Sequence, residues 1–317
     1  MAGFAIGMTD WESGQRRLAS AVNRWRSNDA VAPVLAALGR FADGAAINDC
    51  PSLGALFRAD PEPAEKVLDS FVHEAVAAMA AIPLGQLPLR HAHRRAAHTL
   101  LLAREREASL AVTVYDGAAL SLQPAPRSAD FAPVETWLRV VSGTGSAALV
   151  ARNPVSAGPL DRAEVVLRPG DVIHRDGRTE ALRVRAAEGT LVVLRLQRPI
   201  GAADAACEFA LDDGAILNRA AARVEDSRLE LAISVLVAQG RRDAVPALGR
   251  IVGGSGAAAL RWSALRGVLG LDTRAGMVLL GELADGDDAA LGAAARALRS
   301  DFLKEWPELE KVTQWRG

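Results

Sequence analysis

The feature that most constrains this 317-residue chain is a hydrophobic period that changes twice along its length. From Trp11 to about Pro88 the apolar residues return at helical spacing: Leu18, Val22 and Trp25, then Val31, Val34, Leu35 and Leu38, then Val67, Phe71, Val72 and Ala75. Gly44, Pro51, Pro61 and Pro63 punctuate that stretch, which predicts several short helices rather than one long one. Beyond Pro88 the period falls to two, the spacing at which successive side chains point to opposite faces of a strand. After a linker around Asp212 to Asp226 helical spacing returns. The pattern predicts an α+β chain in three parts: a helical region over 1–88, a β-barrel or sandwich over 89–211, and helical hairpins over 212–317.

The predicted strands are short and dense. They include Thr99 to Ala103, Leu110 to Tyr115, Val134 to Val141, Ala147 to Val150, Ala163 to Leu167, Ala181 to Arg185 and Leu191 to Leu196, joined by turns such as Ser142 to Gly145 and Pro169-Gly170-Asp171. In the last strand Val192, Leu194 and Leu196 alternate with Val193, Arg195 and Gln197, so the apolar face is expected to turn toward the interior. In the C-terminal part Leu229 to Gly240 and Ala244 to Val252 are echoed about 32 residues later by Leu260 to Asp272 and Ala275 to Leu283, and a partial third copy starts at Ala289. This spacing, with small residues and an Asp at the turn, resembles HEAT-type helix pairs, and a generic helical bundle is the alternative. Stacked units of that kind present a surface to a partner. The face around Trp262, Leu265 and Leu269 is a candidate, with burial in the helical core as the competing fate.

The segment from about Thr99 to Pro199 resembles a cupin domain, a jelly-roll barrel. Cupins carry one motif of G, five residues, H-x-H, then a Glu and six residues later a G. A second motif runs G, five residues, P-x-G, two residues, H. Histidines at i and i+2 on a strand face the same way, which is how the family assembles a metal site. Here Gly117 is followed after five residues by Gln123-Pro124-Ala125, and Thr136 stands where counting back from Gly143 puts the glutamate. Glu135 is adjacent, but alternation that sends Thr136, Leu138 and Val140 inward sends Glu135, Trp137 and Arg139 outward, where both charges are expected in solvent. Leu167 to His174 keeps the Pro-Gly-Asp entry to a strand, and Glu180, three residues past Gly177, falls at the metal histidine with the parity of Leu182 and Val184. Gln, Ala, Thr and Glu do not make a first shell for iron, manganese or zinc, so no metal and no cofactor is expected. The barrel candidates for ligand binding are Gln123, Thr136, His174 and Glu180.

The remaining motifs carry less. Arg90-His91-Ala92-His93-Arg94-Arg95 holds an H-x-H with His98 nearby, but three arginines disfavour a divalent ion and the stretch reads as an exposed basic connector. His73 lies on an apolar helix and reads as structural. Cys50 and Cys207 are far apart and read as ordinary buried thiols. No P-loop, G-x-S-x-G or H-E-x-x-H occurs.

Half of the residues are hydrophobic, so core material is not limiting. Of 37 basic residues only Lys66, Lys304 and Lys311 are lysine, a skew toward arginine expected of a GC-rich bacterial genome. The 38 acidic residues bring the net charge to −1, which argues against nucleic acid as a partner. Met1 to Trp11 does not read as a secretion signal, and the apolar run from Ala75 to Leu84 is about half of the roughly 20 residues a membrane helix needs, so a cytoplasmic protein is expected. The expected function is a non-catalytic binding or scaffold protein on a metal-free cupin barrel, taking a small molecule or a protein partner. The resemblance implies a homodimer as one assembly. Some anti-sigma factors join a helical region to a cupin, but their zinc-binding His and Cys cluster is missing here. The alternatives are a cupin-fold enzyme of isomerase or epimerase type, with His174 and Glu180 moving protons and Gln123 orienting substrate, or a cupin with a non-standard metal site.

Overall fold

A computed structural model of the chain describes residues 8–82, 85–153, 158–201, 205–221 and 223–310, which form two compact units. The first runs to Ile200 and includes Ala210–Ala215; the second holds Gly201–Phe209 and everything from Ile216 onward. The beginning of the Met1 to Trp11 stretch, the end of the Ala75 to Leu84 run, and Lys311 lie outside the described residues.

The first unit opens with helices α1 (Met8–Arg26), α2 (Ala32–Ala42), α3 (Pro51–Ala55) and α4 (Glu62–Phe71). Pro33, Pro51 and Pro63 sit in the first turn of α2, α3 and α4, where a missing N–H costs no helical hydrogen bond. The chain continues through one π-helical stretch, Val72–Val76, into α5 (Ala77–Ala80). His73 falls in that stretch and is exposed, so it is not the packing residue that the sequence suggested.

Among the described residues ten strands follow: β1 (His91–Arg94), β2 (Ala97–Glu105), β3 (Ala108–Asp116), β4 (Ser128–Phe131), β5 (Val134–Ser142), β6 (Gly145–Ala151), β7 (Asp161–Leu167), β8 (Val172–Asp176), β9 (Glu180–Ala187) and β10 (Thr190–Pro199). They nest from the outside in: β3 pairs with β10, β4 lies beside β9, β5 pairs with β8 and β6 with β7. The pairs β10 with β5 and β9 with β6 close this rolled hairpin into two antiparallel sheets. That nesting is a jelly roll. The basic stretch before it is not a connector, because β1 is itself an exposed edge strand paired with β2. Arg95 takes φ +53° in the turn from β1 to β2, and Gly143 and Gly170 take positive φ in the β5–β6 and β7–β8 turns. At the β5–β6 turn Gly143 has φ +81°, and a Cβ there would meet the Thr190 carbonyl oxygen at 2.1 Å.

Two cores share the six-stranded sheet. Leu138, Val140, Leu191 and Val193 on one face meet Ala147, Leu167 and Val184 of the opposing sheet. On the other face Leu102, Leu110, Leu194 and Leu196 pack on Trp25, Leu38, Phe41 and Phe57 of the helices, with Cys50 in the same core. The N-terminal helices therefore share a core with the jelly roll.

Between β3 and β4 the chain forms α6 (Gly117–Ser121), whose first N–H groups, Ala118 and Ala119, are accepted by the Asp116 carboxylate at 2.9 and 3.2 Å. The second unit begins with the antiparallel hairpin β11 (Ala205–Ala210) and β12 (Ile216–Ala221), so the stretch expected to be a linker contains a strand. Then come α7 (Val224–Ala238), α8 (Val245–Gly253), α9 (Ala258–Leu271), α10 (Thr273–Ala284) and α11 (Ala289–Glu305). Helix α9 packs against α7, α8 and α10, and α10 against α11. The Asp residues at the turns are helix caps: Asp272 accepts from Ala275 N at 3.0 Å and Asp288 from Leu291 N at 3.1 Å. Gly267 lets α9 approach α7, since a Cβ there would lie 3.2 Å from Ile233. Leu265 is fully buried in this core with Trp262 and Leu269 against it, so that face packs the unit's own interior.

Candidate functional site

The inner face of the six-stranded sheet is fixed by register. Across β10, β5 and β8 the opposite residues are Arg195, Leu138 and Ile173, and then Gln197, Thr136 and Arg175. Leu138 and Ile173 belong to the core between the sheets. Alternation therefore puts Arg195, Gln197, Thr136 and Arg175 on that same inner face. Thr113 and Tyr115 of β3 join them, opposite Val193 and Leu191. Tyr115 and Thr113 stand in the Leu191 and Val193 rows, and beyond them the wall changes from Leu and Val to Arg195 and then to Gln197, Thr136 and Arg175.

The cluster is partly bonded. Gln197 Nε2 donates to Thr136 Oγ1 at 3.1 Å, and Thr136 and Thr113 are almost wholly buried. The Thr113 hydroxyl lies 3.0 Å from that of Thr99. Arg175 Nη1 donates to the Glu180 carbonyl oxygen at 2.9 Å. The Arg195 Nε is buried and has no partner among the described residues. Burial, followed by the charge of Arg195, pulls Arg175 below the ordinary guanidinium range, while Glu180 and Tyr115 act the other way. Burial likewise lowers Arg195, against an opposing effect of Tyr115. The Tyr115 phenol is pushed up by burial and drawn back by Arg195 and then Arg175. Three ionisable side chains on three strands thus act on one another inside the roll.

The sequence candidates separate. Thr136 is on the inner face, as alternation suggested, and Glu180 lies close enough to Arg175 to act on its charge. His174 is on the outer face: its Nε2 lies 3.0 Å from Glu135 Oε1, and its ring stacks on Trp137 at 4.0 Å. It therefore does not pair with Glu180, and the proton-transfer pair of the enzyme alternative is not assembled. Gln123 is not on a strand, because Gly117–Ser121 folds as α6 and Gln123 sits in the turn after it. The strand that precedes β5 is β4, Ser-Ala-Asp-Phe.

Glu135 and Arg139 face outward but not into solvent, because the helices cover that face. Arg139 is 1% exposed. Its Nη1 donates to the Arg58 carbonyl oxygen, and its Nη2 has no partner among the described residues. It borders a cavity of about 260 Å³ lined also by Pro61, Ala64, Glu65 and Pro169. Glu135 accepts from Arg198 Nε at 2.7 Å, and Arg198 Nη1 donates to Phe41 O at 3.0 Å and Ala45 O at 2.7 Å.

Arg175 and Arg195 are the residues that sequence reasoning missed. Alternation alone makes Arg195 mark a solvent face, whereas both faces of β10 are covered and the charged one is the interior. Among the described residues no group of three or more His, Cys, Asp or Glu side chains is placed to hold a metal ion. The inner cluster does not fit one either, since two guanidinium groups repel a divalent cation. His93 and His98 do meet across β1 and β2, Nδ1 to Nδ1 at 3.0 Å, but on an exposed edge.

These features define a class: an antiparallel jelly roll with a polar, arginine-bearing interior, backed by helices. No family model matches the chain, and no curated protein matches it. Among solved structures it is similar to the cupin domain of Drosophila melanogaster CENP-C, at 16% identity over 35% of this chain and 75% of that one, with a TM-score of 0.28. It is also similar to HutD from Pseudomonas fluorescens, at 13% identity over 35% of this chain and 56% of that one (TM-score 0.25), and to the capsular polysaccharide assembling protein CapF of Staphylococcus aureus, at 12% over 36% and 32% (TM-score 0.26). The chain thus spans about half the length of the second and a third of the third. Among the described residues no helix is long and apolar enough to cross a membrane.

Proposed function

We propose that this chain is a metal-free binding protein of cupin type that takes a small polar molecule between the two sheets of its jelly roll. The observation that carries the reading is the inner wall itself. A roll serving only as scaffold gains most from hydrocarbon in its interior, yet here Thr136, Gln197, Arg175 and Arg195 stand at one end of the wall where Leu and Val would pack. Buried polar and charged groups cost stability unless something pairs with them, and a ligand is what a concave protein site pairs them with. The N-terminal helices support the wall from behind, through the shared core and through Arg198. The C-terminal helices, in the HEAT-like reading, offer a surface for a protein partner.

The test is to denature the purified protein, profile the released small molecules by mass spectrometry against a buffer blank, and measure bound metals by elemental analysis. The proposal expects a released polar compound that competes for rebinding. Stoichiometric iron, manganese or zinc would replace it with the metal-site reading.

A further inference from the structure

We infer that the ligand of the jelly-roll interior is an oxyanion, a carboxylate or phosphate carried by a small metabolite and seated between the guanidinium groups of Arg175 and Arg195. The inference rests on the binding reading above and names the chemistry that the site accepts.

Charge comes first. Two arginines share the inner face of one sheet, in adjacent rows on β8 and β10, and neither forms an ion pair among the described residues. Arg175 is held by a neutral backbone carbonyl, and the Arg195 Nε is buried with no acceptor. The carboxylate nearest in effect, Glu180, ranks behind burial and Arg195 in its influence on Arg175. Like charges driven together in a desolvated place are retained when an anion completes the set. Geometry comes next. Guanidinium is a planar fork whose paired N–H groups match the two oxygens of a carboxylate or phosphate, and its charge persists after burial that would neutralise a lysine. Burial lowers both groups, and because a guanidinium does not give up its proton in a protein, both stay cationic. Tyr115, opposite Leu191 and two same-face rows from Arg195, is displaced the other way and keeps its phenolic proton. Gln197 donates Nε2 to Thr136 Oγ1, which leaves the Thr136 hydroxyl proton as a further donor and the Gln197 carbonyl oxygen as an acceptor for a hydroxyl on the rest of the ligand.

The experiment titrates the full-length protein with inorganic phosphate and, separately, with malonate, at ionic strength held constant with sodium chloride, by calorimetry and by thermal shift. The expected result is saturable binding of at least one probe, with a rise in melting temperature. A response to phosphate alone assigns a phosphorylated ligand, and one to malonate alone a carboxylate. Arg195→Met and Arg175→Met each weaken binding by about tenfold or more, the loss of one bidentate contact. Arg195→Lys, which keeps charge but not the fork, falls between. A further signature separates a ligand site from a structural one: without probe, Arg195→Met melts no lower than the parent, because it removes a half-buried cation whose Nε has no partner among the described residues. The inference is overturned if neither probe saturates, if binding survives both Met substitutions unchanged, or if Arg195→Met unfolds the protein. Release of a neutral compound from the purified protein, with neither probe binding, would leave the binding reading standing and remove the oxyanion.

Discussion

Arg198 is a side chain through which the helical layer grips the jelly roll, and replacing it with Met is a quantitative test of that role. The guanidinium donates to Glu135 at 2.7 Å and to the Phe41 and Ala45 carbonyl oxygens at 3.0 and 2.7 Å, and it lies 4.0 Å over the Phe41 ring. Both members of the ion pair are less than a fifth exposed, at 18% and 17%, so solvent screens them weakly. Hydrogen bonds to charged groups are worth roughly 1.5–3 kcal/mol each; discounted to about 1 kcal/mol for the residual exposure, the three bonds sum to about 3 kcal/mol. Methionine keeps the packing of the stem and strands Glu135, to which, among the described residues, His174 remains. Urea unfolding should therefore show a loss of about 3 kcal/mol with little change in slope, and the melting temperature should fall by roughly 6–12 °C. Arg178→Ala, which removes a half-exposed pair with Asp176, is the internal control and should cost under about 1 kcal/mol. If Arg198→Met costs no more than that control, the helices are held by apolar contact alone and the reasoning fails.

Other consequences are as concrete. Gly143→Ala forces a Cβ onto the Thr190 carbonyl at a positive φ, and the β5–β6 turn should lose about 3 kcal/mol or more in the same unfolding assay. Arg139→Met removes a buried cation that has one unpartnered nitrogen, so equilibrium unfolding should find it neutral or stabilising by about 1 kcal/mol; a large loss would mean that the bond to the Arg58 carbonyl matters more than the desolvation. Tyr115 has a folded-state pKa raised by burial above its unfolded value, so its stabilisation is complete below about pH 10 and lost as pH rises through the folded value. Between pH 9 and 11 the parent should thus lose stability faster than Tyr115→Phe, and parallel curves would place the phenol in solvent.

Much of the architecture can be read from the residues, because period reports secondary structure directly. The switch near Pro88, the strands around Val134 to Val141 and Leu191 to Leu196, and the turn at Pro169-Gly170 all appear where alternation and turn chemistry put them. Alternation also says that Thr136, Leu138 and Val140 share a face. It cannot say what covers a face. Leu194 and Leu196 look like an interior row because they are apolar, yet the helices are what they pack on, and the interior row carries Arg195 and Gln197. For the same reason Arg139, whose charge suggested solvent, is sealed beneath the helices. The spacing from Gly117 misled differently: it assumed a strand where the Asp116 cap starts a helix, so Gln123 was placed on a wall that β4 supplies. His174 and Glu180 are close in sequence, but strand parity and the turn at Gly177 send them to different faces.

The central claim is that the polar end of the roll holds an anion and no metal. A crystal structure of the protein grown with malonate or phosphate, with anomalous data collected at the iron and zinc edges, tests it directly. The account predicts density for the anion within hydrogen-bonding distance of both the Arg175 and Arg195 guanidinium groups, and no anomalous peak inside the roll. An anomalous peak between the sheets, or two guanidinium groups turned away from each other with hydrocarbon filling the space, would contradict it.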